Sequence, residues 1–207
     1  MEQQITSQPN TTKVALLEAA KTVLLAEGFS GLSTRAIATA ANTQMSQIRY
    51  HFGSKDGIVL ALYTYMTDQL IERQSNLFID PNISLSTKWE VACDYLDADI
   101  ESGYVRVLQE LMAVGYANED VRNLLRDGFS LWRDLHIQLA EEFAKTYGSL
   151  GPFEPEDLAA LIGSLFVGAE ALILLECEDE LRPVRRALRR LGKGIRLLET
   201  QADTGGT

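Results

Sequence analysis

Apolar residues recur along this chain at intervals of three and four, and no stretch alternates apolar with polar as a half-buried strand would. The pattern predicts an all-α protein of about nine helices. Val14, Leu17 and Leu24 mark one face of a first helix, from a cap at Asn10 or Thr11 to about Glu27. Gly28 then suits the left-handed residue that follows a helix end. Ser33 caps a short second helix, Thr34 to Ala41, with Ile37 and Ala38 facing inward. Asn42 falls at a turn, where Asn tolerates positive φ. Thr43 is placed to cap a third short helix, Gln44 to about His51, and Gly53 ends it. Ser54 caps a fourth helix from Lys55 to about Phe78, about 35 Å long at 1.5 Å per residue. Asp80-Pro81-Asn82 breaks the pattern. Further helices are predicted over 85–101, 104–116, 119–148, 155–179 and 182–199. The polar first ten residues and the segment 201–207 read as mobile.

Two short helices joined by a turn of three or four residues make a helix-turn-helix, here over residues 33–52. Ala38 and Ala41 are small where the helices cross, and Ile37, Ile48 and Phe52 anchor them. The outward face of the second helix is then Gln44, Met45, Ser46, Gln47, Arg49 and Tyr50. These side chains have the length and hydrogen-bonding groups that base edges require, and Arg49 and Tyr50 also reach phosphate. His51 and Phe52 read as packing residues. Met45 suits either a thymine methyl or the backbone.

The net charge of −10 at first argues against a nucleic-acid ligand, but its distribution does not. Residues 1–60 hold five cations (Lys13, Lys21, Arg35, Arg49, Lys55) against four acids (Glu2, Glu18, Glu27, Asp56), a net of +1 that leaves −11 for the remainder. A weakly positive head on an acidic body faces phosphate with one end only. Cys93 and Cys177 lie far apart with no C-x-x-C spacing, and the N-terminus has no charged-then-apolar leader. Two free thiols in a reducing cytoplasm are expected. The apolar run from Leu158 to Leu175 is interrupted by Glu170, so a buried core helix is expected there rather than a membrane span.

The order Ser33-Thr34-Arg35-Ala36-Ile37-Ala38, then Ala40-Ala41, then Tyr50-His51-Phe52-Gly53-Ser54-Lys55-Asp56-Gly57 resembles the TetR/AcrR family of bacterial regulators. The resemblance covers roughly the first sixty residues. Asn42 and Thr43 depart from the family's usual Gly and aliphatic residue, and Arg49 stands where an aromatic is usual. The resemblance implies that position 49 touches the DNA backbone and that Lys55 contacts phosphate, aided by the helix N-terminus beside it. It implies an N-terminal DNA-binding domain over 1–53 and a ligand-binding and dimerisation domain over 54–200. With it, the candidate DNA contacts are Ser33, Thr34, Arg35, Thr43, Gln44, Met45, Ser46, Gln47, Arg49, Tyr50 and Lys55.

One three-helix head covers one half-site, so a two-fold partner is expected to set a second head about 34 Å away. The helix at 158–175 offers Leu158, Leu161, Leu165, Ala169 and Leu172 for that contact, with small residues between them. The last helix offers Val184, Leu188, Leu191 and Ile195 in a coiled-coil-like 4–3 rhythm. The resemblance places both in a four-helix bundle with the partner. Between these positions lie Arg182, Arg185, Arg186, Arg189, Arg190, Lys193 and Arg196. They read either as a solvated face pairing with the Glu176, Glu178, Asp179, Glu180 run or as a second patch for nucleic acid or membrane surface.

The resemblance also implies an effector cavity in the body. Trp89, Tyr95, Tyr104, Met112, Tyr116, Phe129, Trp132, His136 and Phe166 are its candidate lining, although aromatics at helical spacing also build plain cores. The expected ligand is largely apolar. His136 has no His or Cys neighbour in sequence, so no metal site is expected. No phosphate loop, nucleophile elbow or zinc motif appears, so no catalytic residues and no cofactor are expected. The sequence thus points to a cytoplasmic, homodimeric, DNA-binding regulator that binds no membrane, and the resemblance implies a repressor released from a double-stranded operator by a small molecule. The alternative is the same fold serving as a ligand carrier or protein-binding module.

Overall fold

The computed structural model describes residues 8–148, 150–175 and 183–205. Nine α-helices and no strand occur among them: α1 Gln8–Gly31, α2 Thr34–Ala40, α3 Met45–Phe52, α4 Lys55–Phe78, α5 Leu85–Glu101, α6 Tyr104–Gly115, α7 Glu119–Tyr147, α8 Pro155–Leu174 and α9 Pro183–Gly205. The all-α expectation and most predicted boundaries agree with this to within two residues. The differences have local causes. α1 begins at Gln8, ahead of the expected cap, because Pro9 suits a first helical turn whose N–H groups lack partners anyway. It breaks at Gly28 (φ 69°), where helical continuity was expected to end. Its buried face is Leu16, Leu17, Ala20, Val23 and Leu24, while Val14 is exposed. Thr43 does not cap α3: Gln44 takes the extended N-cap backbone with no side-chain bond, and the Thr43 amide donates to the Ala38 carbonyl at 2.9 Å. α9 continues helically to Gly205, into the tail expected from Gln201. The acidic run Glu176, Glu178, Asp179, Glu180, with Cys177 and Arg182, lies outside the described residues.

Side-chain caps fix the starts of most helices. Ser33 Oγ accepts from the Ala36 amide and Ser54 Oγ from the Gly57 amide, at 3.1 and 3.0 Å. Asn118 caps α7 in the same way. Glu154 and Asp157 form a reciprocal capping box around Pro155. Each such bond satisfies one of the amides that a helix start leaves without a partner.

α1–α3 form the head, and α4 joins it to the body. The expected boundary at residues 53–54 falls at the α3–α4 turn, yet the apolar core runs straight across it. Leu16, Ile37 and Ile48 of the head share one cluster with Leu62, Tyr63 and Met66 of α4 and with Val105, Leu108 and Val121 of α6 and α7. A second cluster joins α5, α8 and α9 through Cys93, Leu96, Phe166, Ala169, Ile173 and Leu188. Both Ala169 and Leu188 are therefore inside the protomer, and neither is available to a partner. Trp89 Nε1 donates to the Leu188 carbonyl at 2.7 Å, and Gly192 leaves room for its ring.

Three basic residues of α9 are answered by acids of α5. Arg185 meets Asp97 (2.7 Å), Arg189 meets Asp94 and Asp97 (2.8 and 3.2 Å), and Arg196 meets Glu90 (2.9 Å). The pairing partners thus include a neighbouring helix that the sequence reading did not consider. These pairs are partly exposed, so each adds little stability. Lys88 differs. Its side chain is 1% exposed and its Nζ donates to Glu142 Oε2 at 2.6 Å, bridging α5 to α7. Removing the acid leaves a buried ammonium without its counter-charge. Glu142→Gln is expected to cost about 2 kcal/mol, below the roughly 3–5 kcal/mol of fully buried pairs because Glu142 itself is one-third exposed. Urea unfolding checks this, and the double variant Lys88→Met/Glu142→Leu is expected to recover most of the loss.

Candidate nucleic-acid interface and effector cavity

In the head, Ile37 and Ala38 of α2 and Ile48 of α3 point inward and close the helix-turn-helix. Asn42, at φ 49°, is the one non-glycine residue at positive φ among the described residues and turns the chain between them. This leaves Gln44, Met45, Ser46, Arg49 and Tyr50 exposed, with Tyr50 80% accessible. Gln47 and Thr43 are half-buried beside them. Ser33 and Arg35 are exposed on one flank, with Thr34 half-buried, and Lys55 opens α4 on the other. No acid of the described residues forms an ion pair with Arg35, Arg49 or Lys55. Phe52 is half-buried with the Lys13 ammonium 5.9 Å from its ring centre, and His51 packs edge-on to Tyr50. Both are structural supports of the exposed face.

The body holds two adjoining hollows. The inner one, about 40 Å³, is lined by Tyr63, Thr67, Gln74, Asp99, Tyr104, Phe129, Trp132, His136, Phe166 and Glu170 among others. The second, about 190 Å³, is almost wholly apolar and includes Trp89, Phe143, Leu158, Ile162 and Ile195, with Lys88 at its edge. That volume matches a dry cavity able to hold a benzene-sized molecule (roughly 150 Å³). Phe78, Ala92, His136 and Phe166 line both. An open groove beside α7 adds Met112.

Seven of the nine candidate lining residues are thus gathered around hollow space. Tyr116 is not: it follows the last turn of α6 and is 81% exposed. Tyr95 is not either, since the Arg73 guanidinium covers its ring at 4.1 Å. Residues that periodicity did not single out supply the polar lining. Tyr63 stacks on Tyr104 with ring centres 6.0 Å apart, and Thr67 Oγ1 donates to the Tyr104 hydroxyl at 3.5 Å. Gln74 accepts from Trp132 Nε1 at 2.8 Å, and Asp99 takes two 2.8 Å bonds from Arg73. The one sequence signal for these was Glu170, an acid inside an apolar run.

Electrostatics in the inner hollow follow burial. Desolvation pushes the Tyr63 and Tyr104 phenols up, and it pushes Asp99 up against the opposing pull of Arg73. It pushes Glu170 up to about 8, with the Asp99 charge adding to the effect. His136 goes down to about 4 for the same reason. Its Nδ1 lies 2.9 Å from the Trp132 carbonyl. A carbonyl only accepts, so the neutral ring carries its proton on Nδ1.

On the outer surface, α8 exposes Leu161, Leu165, Gly168, Leu172 and the following Leu175, spaced 4, 3, 4 and 3. α9 exposes Ala187, Leu191, Gly194 and Leu198, spaced 4, 3 and 4. Leu158, Val184 and Ile195 are half-buried behind these stripes. By length and composition α8 would also span a bilayer, but its other face carries Phe166, Ala169, Glu170 and Ile173 into the bundle.

A three-helix head with an exposed polar α3, set on an all-helical body, defines the helix-turn-helix class of regulators. Residues 16–62 match the model of bacterial regulatory proteins of the tetR family. An uncharacterised HTH-type transcriptional regulator in the dhlA 5′ region of Xanthobacter autotrophicus is 28% identical over 142 residues, covering 65% of this chain and 67% of that one. The fold matches a TetR transcriptional regulator from Legionella pneumophila with a TM-score of 0.67 at 22% identity, over 91% of this chain and 99% of that one. It also matches the transcriptional regulator FadR of Bacillus subtilis, solved in complex with stearoyl-CoA. There the TM-score is 0.68 at 15% identity, over 86% of this chain and 96% of that one. Residues 16–62 thus carry the signature of the tetR family of bacterial regulatory proteins, and the chain as a whole has the fold of the TetR regulator structures it matches.

Proposed function

We propose that this regulator is a homodimeric repressor that binds a two-half-site DNA operator and leaves it when a small molecule enters the body. The observation that carries this reading is the exposed α3 face, polar and flanked by cations that no acid of the described residues pairs, on a chain whose net charge is −10. Gln44, Ser46 and Gln47 are the base readers, with Met45 against a thymine methyl. Arg49, Tyr50 and Lys55 hold phosphates, helped by Ser33, Thr34, Arg35 and Thr43 at the rim. Residues 54–200 carry the effector cavity and the two-fold contact, and the protein works in the cytoplasm.

The same geometry supplies a route for release. Tyr63 sits on α4, which carries the head, and stacks on Tyr104 of α6 within the cavity wall. The turn before Tyr104 lies against the head, where a Cβ on Gly103 would meet Leu25 of α1 at 2.8 Å. A ligand that spreads the cavity moves α4 relative to α6 and changes the separation of the two heads.

Operator selection from a random duplex pool, followed by titration at several salt concentrations, tests the reading. Arg49→Ala is expected to weaken binding about tenfold and to reduce the salt slope by roughly one. A purified protein that binds no duplex at low salt would refute it.

A further inference from the structure

Among the described residues, Glu170 Oε2 is a buried carboxyl oxygen with no hydrogen-bond partner. Glu170 is 8% exposed and lines the inner hollow. The neighbouring acid, Asp99, is fully engaged by Arg73. Arg73 Nε also lacks a partner, but Arg73 lies over Tyr95 and outside the hollow's lining. The unpartnered polar atom that faces the hollow is therefore the Glu170 carboxyl oxygen. Once Glu170 gives up its proton both of its oxygens are acceptors, and a buried carboxylate oxygen without a donor is costly, so a ligand that takes its place beside the carboxylate must bring its own donor and positive charge.

We propose that the inner hollow receives the ammonium head of a small alkylamine, with Glu170 as its counter-ion and the Tyr63, Tyr104, Phe129 and Trp132 rings around it. This rests on the effector reading above and names the ligand's chemistry. Among the described residues, no Lys or Arg lines the hollow. The groups facing Glu170 are Tyr63 from α4, Asp99 from α5 with Arg73 behind it, and Tyr104 and Gln109 from α6. His136 from α7 shares the wall and is neutral at pH 7. Aromatic rings attract a desolvated cation by their faces, and they give no such preference to an alcohol. The apolar 190 Å³ hollow, behind Phe78, Ala92, His136 and Phe166, suits the alkyl tail.

Proton balance distinguishes this ligand from a neutral donor. At pH 7 the empty Glu170 is protonated, because burial holds it near 8. An entering ammonium pairs with the carboxylate, so the Glu170 proton leaves to the buffer. An alcohol binds the protonated acid and releases none.

The test is calorimetric titration of the full chain with hexylamine, 1-hexanol and hexanoate at pH 7, in two buffers of different ionisation enthalpy. Hexylammonium is expected to bind at least about tenfold more tightly than hexanol and to release close to one proton, with affinity rising up to about tenfold between pH 6 and 7. Glu170→Gln is expected to abolish both the preference and the release. Equal or tighter binding of hexanol or hexanoate, no proton release from the wild type, unchanged hexylammonium binding by Glu170→Gln, or no binding by any of the three overturns the proposal. Operator affinity, measured in parallel, judges the other reading. Hexylammonium that binds through Glu170 without weakening operator binding leaves the ligand assignment intact and sinks release.

Discussion

Leu165→Arg is expected to make the purified protein monomeric and to cut its affinity for a two-half-site operator by roughly a thousandfold. Leu165 lies in the middle of the exposed α8 stripe, between Leu161 and Leu172 and beside the α9 stripe of Leu191 and Leu198. Together they form a two-helix apolar face such as a four-helix bundle with a second copy would cover. Two-fold symmetry places a substitution there in the interface twice, and an unpaired guanidinium buried in such a seam costs several kcal/mol. Losing the partner turns a bivalent contact into a single one. With an effective concentration in the millimolar range for the second head, affinity falls by about two to four orders of magnitude. Sedimentation reports the monomer, and mobility shift reports the affinity. Binding to an isolated half-site serves as the control that the head is intact. Ile79→Arg, at an exposed leucine-sized position at the end of α4, is expected to leave both readouts unchanged.

The rotation of α8 and α9 about their own axes was the least legible feature of the sequence. α8 is apolar on nearly all sides, so periodicity does not tell its core face from its outer one. In α9 the leucine rhythm merges two faces: Val184, Leu188 and Ile195 turn inward while Leu191 and Leu198 turn outward. Ala187 and Gly194, which complete the outer stripe, are too small to register in an apolar count. Helix starts were far easier to read, because Ser33, Ser54 and Asn118 act through bonds to residues a few positions away and Pro155 suits a first helical turn that needs no N–H.

The same contrast of range governs the two candidate sites. The exposed side of α3 was legible because eight residues between a turn and Gly53 decide it. The cavity's polar lining was not, because Tyr63, Thr67, Gln74, Asp99 and Glu170 come from three helices and meet only after folding. An isolated Thr67 or Gln74 in a helix pattern carries no sign that Tyr104 or Trp132 will satisfy it. Tyr116 shows the opposite failure. An aromatic counted towards the cavity sits past the end of its helix, where the chain turns outward.

His136 makes the stability of the protein fall in mild acid, by an amount expected to be on the order of 3 kcal/mol between pH 6.5 and 4. Its folded-state value is depressed to about 4 from an ordinary 6.5 because the ring is buried beside Trp132 and Phe78. The neutral form is the folded form. Between the two values the unfolded chain binds a proton that the folded chain refuses, so acid favours unfolding. The contribution is fully present above pH 6.5 and is lost as pH falls towards 4, at about 1.4 kcal/mol per unit. Carboxylates also titrate at the lower end, so the measurement is a difference. Urea midpoints of the wild type and His136→Asn are compared at pH 7, 6, 5 and 4. Asn keeps an amide to donate to the Trp132 carbonyl and takes up no proton. The variant starts less stable at pH 7, where the ring's packing is lost, and the gap narrows or reverses by pH 4. Parallel curves for the two proteins would mean that the ring accepts its proton in place and that the Trp132–His136 wall does not exclude charge.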